Sequence, residues 1–283
     1  MATDLQRVHD VARSVDAERW NAMLQASAEG AAAGTPDPSL PGFPPDDIQL
    51  RFNGRPAVKS LSQAFDLYRL TMRAFRENGT PRPDSRFLDF GAGWGRVWRY
   101  FLREFAPEHM AAFDVNPKMA DFWSQSMLGA RLDVGTPFQP LPYWDGTFDL
   151  VVSNSVFSHL SLRLNMHSAG ELRRIMRPGG VFVGTTFGLT HLRLWRSWQE
   201  QPDSCNERQR KLASLSPDYG KEIDSFERGG FVYLPANPTR PLDYENTAFS
   251  GEWIRANWSD WFELLDFIED GTMQPVFVCR ALQ

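Results

Sequence analysis

Three glycines at alternate positions, Gly91, Gly93 and Gly95, follow a short run, Phe87 to Phe90, that is apolar apart from Asp89. Glycine permits backbone angles and close approaches that a side chain forbids, so this spacing predicts a ligand-wrapping loop at the end of a buried strand. Val97, Trp98, Phe101, Leu102 and Phe105 then recur at helical spacing, and the loop is expected to open directly onto a helix N-terminus. A pyrophosphate fingerprint requires G-x-G-x-x-G, whereas here the third glycine comes one residue early, with Arg96 in its place. The chemistry that remains is recognition of a nucleotide-like ligand bearing a positive group. A carboxylate such as Asp89 at a strand end accepts hydrogen bonds from an ammonium directly or through water.

S-adenosylmethionine carries such an ammonium on its methionine end. A second apolar run, His109 to Val115, ends on Asp114, an acid placed to hold both hydroxyls of an adenosine ribose. Asn116 is the better cap for the next helix, with Pro117 in its first turn, which leaves Asp114 for the ligand. A short strand is expected at Arg131 to Val134, followed by Gly135 and Thr136, and another at Phe148 to Ser153, followed by Asn154 and Ser155. In open parallel sheets ligands sit beyond the carboxyl ends of the strands, so Asp89, Asp114, Gly135, Thr136, Ser153 and Asn154 are expected around one crevice. Asn154 and Ser155 are the polar groups expected nearest the reacting end. Asp145-Gly146 reads as a turn, and Arg177-Pro178-Gly179-Gly180 as the stop between a helix and the strand VFVGTTF, with glycine as a left-handed cap.

The segments LDFGxGxGR at Leu88 to Arg96, an acidic second-strand end, LPxxDGxFDLV at Leu141 to Val151, and LRPGG, present here as Met176 to Gly180, occur in that order. On these motifs the chain resembles the class I S-adenosylmethionine-dependent methyltransferases of the broad bacterial type-11 domain group, strongly over roughly Asp84 to Thr186. The resemblance implies an α/β fold: a doubly wound, Rossmann-like seven-stranded sheet, mostly parallel with an antiparallel C-terminal strand. It also implies S-adenosylmethionine as cofactor, with Asp89, Gly91, Gly93, Gly95, Asp114, Asn154 and Ser155 around it. Many members place an acid or asparagine at the third-strand end to meet the adenine. Here Gly135 and Thr136 follow Asp133, which shifts that role to backbone groups and to packing by Val115, Met119 and Phe138.

Methyl transfer to a hydroxyl needs a group that takes the proton. His159, just past the fourth strand, His191, just past the fifth, and Tyr244 are the candidates, and each could equally be a structural residue. The segment Tyr244 to Ser250 is also similar to a Tyr-x-x-Thr-x-Phe-Ser tail in bacterial methyltransferase-like proteins of polysaccharide or secondary-metabolite pathways. That similarity points to small-molecule or sugar-like acceptors, and to O- over N-methylation. An S-adenosylmethionine-binding regulatory or partner protein without catalysis stays open as the alternative. Aminopropyl transfer calls for acids after the fourth strand, where Asn154 and Ser155 stand.

A net charge of −5 among 283 residues argues against an extended phosphate-binding surface and so against a nucleic-acid acceptor. Two distant cysteines, Cys205 and Cys279, lack metal spacing, so no metal is expected, and they suit reduced thiols in a cytoplasmic protein. No uncharged apolar run is long enough to cross a bilayer, and a homo-oligomer is left open.

The positioning elements divide as an N-terminal helix over Asp4 to Glu29 with a Pro/Gly-rich linker to residue 45, then a domain over 46–283. Within that domain we expect a leading segment at 46–83, extended at first and then helical, in which Tyr68 or Gln49 could face the ligand or simply pack. A core at 84–190 follows, then an acceptor-pocket insertion at 191–240 and a C-terminal helix and hairpin at 241–283. Trp195, Trp198, Phe226, Phe231 and Tyr233 offer apolar surface for an acceptor, or core for the insertion. The N-terminal helix could cover the cofactor site, meet a second subunit or be a free amphipathic tail.

Overall fold

The computed structural model describes residues 4–45, 48–49, 57–235, 244–269 and 274–283. Its main sheet has seven strands: β1 (Phe87–Phe90), β2 (Met110–Asp114), β3 (Asp133–Val134), β4 (Phe148–Ser153), β5 (Met176–Thr185), and, in the tail, Phe262–Ile268 and Val276–Ala281. Numbered in chain order these last two are β8 and β9, because β6 (Phe231–Leu234) and β7 (Asn246–Phe249) form a separate two-stranded antiparallel ribbon. The sheet order is β3-β2-β1-β4-β5-β9-β8, with β9 antiparallel to both of its neighbours. This is the doubly wound, mostly parallel sheet expected, with its antiparallel strand at the C-terminus. The chain divides into two compact units, residues 1–152 and 153–283.

In the first unit, every residue of β1 is buried, which explains its nearly unbroken apolar sequence. Phe87 stacks on Phe101 at 4.1 Å and on Phe105 at 5.5 Å, so the turn after the glycine loop is held down by aromatic packing. The helix there is shorter than its apolar spacing suggests: α4 spans Trp98–Phe101, and the chain then continues in turns to Phe105. The N-terminal segment is two helices, α1 (Asp4–Ser14) and α2 (Ala17–Ala32), because Asp16 accepts from Arg19 N at 2.7 Å and so starts a second helix.

These helices are docked rather than free. His9 Nδ1 donates to Leu102 O at 2.6 Å, Arg103 donates to Val15 O, and Tyr100 donates to Asn21 Oδ1 at 2.8 Å and to Leu61 O on α3 (Ala57–Asn78). Tyr68 on α3 is buried with its hydroxyl donating to Glu104, and Gln49 is buried with its amide on Pro44 O. The Tyr68 hydroxyl is thus paired within the protein, whereas Gln49 Oε1 is buried without a hydrogen-bond partner. The rest of the expected extended stretch at 46–54 lies outside the described residues, apart from Ile48.

In the second unit, α6 (Leu162–Ile175) starts at Ser161, whose hydroxyl caps Leu164 N. It ends differently from the expectation. Met176, in extended conformation, terminates the helix, and Gly179, at φ 79°, lies within the residues of β5 rather than at the cap. Gly184 faces Phe277 across the β5–β9 pair, where a Cβ would come within 2.2 Å of the ring. Trp258, Phe182, Phe157 and Phe277 form the aromatic centre of this unit, and the buried Trp258 indole donates to Asn165 Oδ1 at 3.2 Å.

The inserted segment has its own core. Helices α7 (Leu189–Glu200), α8 (Glu207–Ala213) and α9 (Tyr219–Glu227) bury Leu192, Trp195, Tyr219, Ile223 and Phe226 together with Val232 and Leu234, and Trp198 packs against them. Trp195 and Phe226 are therefore core residues of the insertion, while Trp198 is partly buried beside them. Phe231 is tied into aromatic packing with Phe249 and Trp253, the latter on α10 (Gly251–Asn257), which Ser250 caps. No described helix is long and apolar enough to cross a membrane.

Candidate active site

The glycine loop is fixed by bonds from below and from the side. Gly91 and Ala92 donate to Phe113 O at 2.8 and 3.0 Å, which hangs the loop on the end of β2. Asp114 Oδ2 accepts from Gly93 N at 2.8 Å and its Oδ1 from Asn116 N at 2.8 Å. Trp123, on α5 (Pro117–Ser126), donates its indole N–H to Gly93 O at 2.7 Å. Gly91, Gly93 and Gly95 all have positive φ, at 79°, 52° and 78°. Two of them are required for different reasons. A Cβ on Gly95 would lie 2.6 Å from Met127 Cε, whereas one on Gly93 would meet nothing within 4 Å, so the open side of the loop is at Gly93.

Asp89 is 1% exposed, and its Oδ2 has no hydrogen-bond partner, while Trp98 N donates to the carboxyl. Burial, with the nearby charge of Asp114 adding to it, pushes the Asp89 pKa up to about 7. Burial also raises Asp114, against the backbone N–H groups of Asn116, Gly93 and Val115 that favour its charged form. Two apolar side chains flank this region uncovered: Val115 is 38% and Val134 is 40% exposed. Met119 is buried, Gly135 is held by its N–H on Asp114 O, Thr136 is exposed, and Phe138 adopts φ 63°. Gly135 also needs to be glycine, because a Cβ would come within 2.7 Å of the Phe113 ring.

In the second unit the polar residues after β4 form a network. Ser155, at φ 60°, donates its N–H to Thr185 Oγ1 at 2.7 Å, Thr185 donates to Gln274 Oε1 at 2.8 Å, and Gln274 Nε2 donates to Ser155 Oγ at 3.2 Å. Asn154, next to it, is half-buried. His159 ends a short 3-10 turn, Phe157–His159. Its Nδ1 donates to Glu245 O at 3.0 Å, and Glu245 N returns a bond to His159 O at 2.7 Å. A carbonyl only accepts, so in the neutral ring the lone pair sits on Nε2. Phe187 lies between the rings of His159 and His191, at 5.6 and 4.8 Å. His191 Nδ1 accepts from Gly188 N at 3.5 Å, a bond within the first turn of α7. Tyr244 bridges to Leu160 through its backbone, which brings its segment beside His159.

Residues 88–184 match the model of the Methyltransferase domain family. Over that stretch the chain resembles the methyltransferase domain of class I S-adenosylmethionine-dependent enzymes. Over 108 residues it is 33% identical to the sarcosine/dimethylglycine N-methyltransferase of Halorhodospira halochloris, an alignment covering 36% of this chain and 38% of that one. It is 27% identical over 207 residues to the malonyl-[acyl-carrier protein] O-methyltransferase of a Paenibacillus species, covering 69% and 68%. The alignment thus spans less than two thirds of the first of these relatives. Its fold is that of SAM-bound CalS10, an amino pentose methyltransferase from Micromonospora echinaspora, at a TM-score of 0.50 and 16% identity over 84% of this chain and 97% of that one.

The chain's own residues fit S-adenosylmethionine. The partnerless Asp89 oxygen suits the ammonium, the open side of Gly93 admits close approach, and the uncovered Val115 and Val134 offer apolar faces for an adenine. Among the described residues no cluster of potential ligands could hold a metal. Sequence reasoning missed Val134, Trp123 and the Ser155–Thr185–Gln274 network. Exposure of a strand-end valine and pairing across long sequence separations have no local signature.

Proposed function

We propose that this protein transfers a methyl group from S-adenosylmethionine to a hydroxyl of a small, sugar-like molecule in the cytoplasm. The observation that carries the reading is the buried Asp89 oxygen without a partner beside a glycine loop open at Gly93. When bound, the sulfonium makes its methyl carbon the electrophile for an in-line displacement. Asp89 holds the ammonium, and Asp114 takes the ribose hydroxyls on lone pairs that its backbone donors leave over. Asn154 and Ser155 orient the reactants, with Ser155 held in place by Thr185 and Gln274. His159 accepts the proton from the acceptor hydroxyl at Nε2, because its Nδ1–H is committed to the Glu245 carbonyl. His191 and Tyr244 are the remaining proton acceptors to test. The acidic net charge supports a small acceptor over a nucleic acid, and the two buried free cysteines support a reducing compartment.

The test supplies methyl-labelled cofactor and separated small-molecule, glycan, lipid, protein and nucleic-acid fractions to the wild type and to His159→Gln. Label entering the small-molecule or glycan fraction, with kcat down about 100-fold in the variant and cofactor affinity unchanged, is the expected result. Label in the protein or nucleic-acid fraction refutes the acceptor class, and an undiminished kcat removes His159 as base. Cofactor binding with no label in any fraction favours the non-catalytic role.

A further inference from the structure

Arg99 has no solvent exposure, yet each group that receives its N–H bonds is neutral. Its Nε donates to Gly95 O at 3.0 Å, Nη1 to Pro41 O at 3.1 Å, and Nη2 to Gly42 O at 3.0 Å and to Trp94 O at 3.4 Å. A further contact reaches Met127 Sδ at 3.9 Å. The guanidinium also lies 4.2 Å from the Phe43 ring centroid and 4.9 Å from that of Trp94. Two segments far apart in sequence therefore share one cation: the arm at Pro41–Phe43 and the loop at Trp94–Gly95. Gly42 adds an anchor of its own, donating to Ser126 O at 2.7 Å at the end of α5.

A buried cation is tolerated only while its donors are satisfied. Departure of the arm would remove two of the carbonyls and one of the two rings. The guanidinium would then gain by turning toward water, and Trp94 O and Gly95 O would lose the donor that aims them. The docked arm and the ordered loop are thus one two-state element.

We propose that Arg99 is a positioning residue coupling the N-terminal arm to the cofactor's glycine loop, so that arm docking and S-adenosylmethionine binding reinforce each other. This rests on the cofactor reading given above. Coupling of this kind is reciprocal: the factor by which the docked arm tightens the cofactor is the factor by which the cofactor tightens the arm.

The experiment measures binding of S-adenosylhomocysteine by calorimetry to the wild type, Arg99→Lys and Phe43→Ala, with melting temperature recorded for each. Amide exchange over residues 40–45 is followed with and without the ligand. Phe43→Ala, which changes no residue of the glycine loop and neither carboxylate, is expected to weaken binding about 10-fold. Arg99→Lys should weaken it at least as much, because a point ammonium cannot span four carbonyls. Ligand should slow exchange over residues 40–45. A purely structural arm would instead lower the melting temperature of Phe43→Ala and leave its affinity within twofold of wild type, with exchange indifferent to ligand, and that result overturns the coupling. If Arg99→Lys does not fold, Phe43→Ala and the exchange data decide alone. A wild type that binds no ligand refutes the cofactor reading, and the coupling falls with it; a wild type that binds while Phe43→Ala is unaffected refutes the coupling only.

Discussion

Replacing Asp89 with asparagine should stabilise the protein without ligand while weakening its hold on the cofactor. Burial, with the nearby Asp114 charge adding to it, raises the Asp89 pKa from the ordinary 3.8 to about 7. A folded-state value above the unfolded one means the native state holds the proton more tightly. The resulting stability is complete below pH 3.8 and is lost as pH rises through 7. At about 1.4 kcal/mol per pH unit the loss approaches about 4 kcal/mol by pH 8. Asparagine never ionises and escapes that loss, but its amide N–H would replace the partnerless Oδ2 in a buried place, at a cost of about 1–3 kcal/mol. The net gain at pH 8 is therefore about 1–3 kcal/mol, or a rise of a few degrees in melting temperature. Because the wild type is protonated at pH 5, the advantage should shrink there. Affinity for S-adenosylmethionine should fall about 10- to 100-fold at pH 8, the value of a charged hydrogen bond. Thermal unfolding from pH 5 to 8.5 and calorimetric titration check both halves. An asparagine variant no more stable than wild type at pH 8, or an advantage that does not change with pH, would refute the reasoning.

The glycine loop yields a contrast between two single substitutions. Gly95→Ala, with positive φ and a Cβ that makes the Met127 methyl and the Trp123 ring give way, should cost about 1–3 kcal/mol of stability, whereas Gly93→Ala, strained but facing open space, should cost about 1 kcal/mol and act chiefly on cofactor affinity. Denaturant unfolding and ligand titration on the same preparations separate the two effects. Asp114→Ala removes the acceptor for two backbone N–H groups as well as the ribose contacts, so both stability, by about 1–3 kcal/mol, and cofactor binding should fall. A loss of binding with unchanged melting temperature would show that the bonds to Gly93 and Asn116 do not hold the loop. Trp258→Phe strands the Asn165 amide in the aromatic centre and should destabilise by about 1–3 kcal/mol in thermal melts, with little change in cofactor affinity.

Short-range pattern in the sequence was enough for β1, β2 and β4, the turn at Gly146 and the cap at Asn116. Each of these follows from residue type and spacing within one element. The glycine spacing with Asp89 and Asp114 likewise marked the loop after β1 that Asp114 and Phe113 hold, because those acids sit where their strands end. Tertiary structure alone decided what the side chains do once folded. Trp195 and Phe226 looked equally suited to a pocket or a core, and the packing of α7, α8 and α9 against β6 makes them core. The Nδ1 of His159 is held by a carbonyl 86 residues away in sequence, a partner that no local pattern reveals. The helix after the glycine loop is shorter than its apolar spacing suggests, although Phe101 and Phe105 both stack on Phe87. Arg99 reads in sequence as an ordinary helical arginine; its burial among carbonyls from the arm and the loop depends on partners separated by as many as 58 positions. Periodicity reports which face of an element is apolar, whereas satisfaction of a buried polar group depends on what the rest of the chain brings to it.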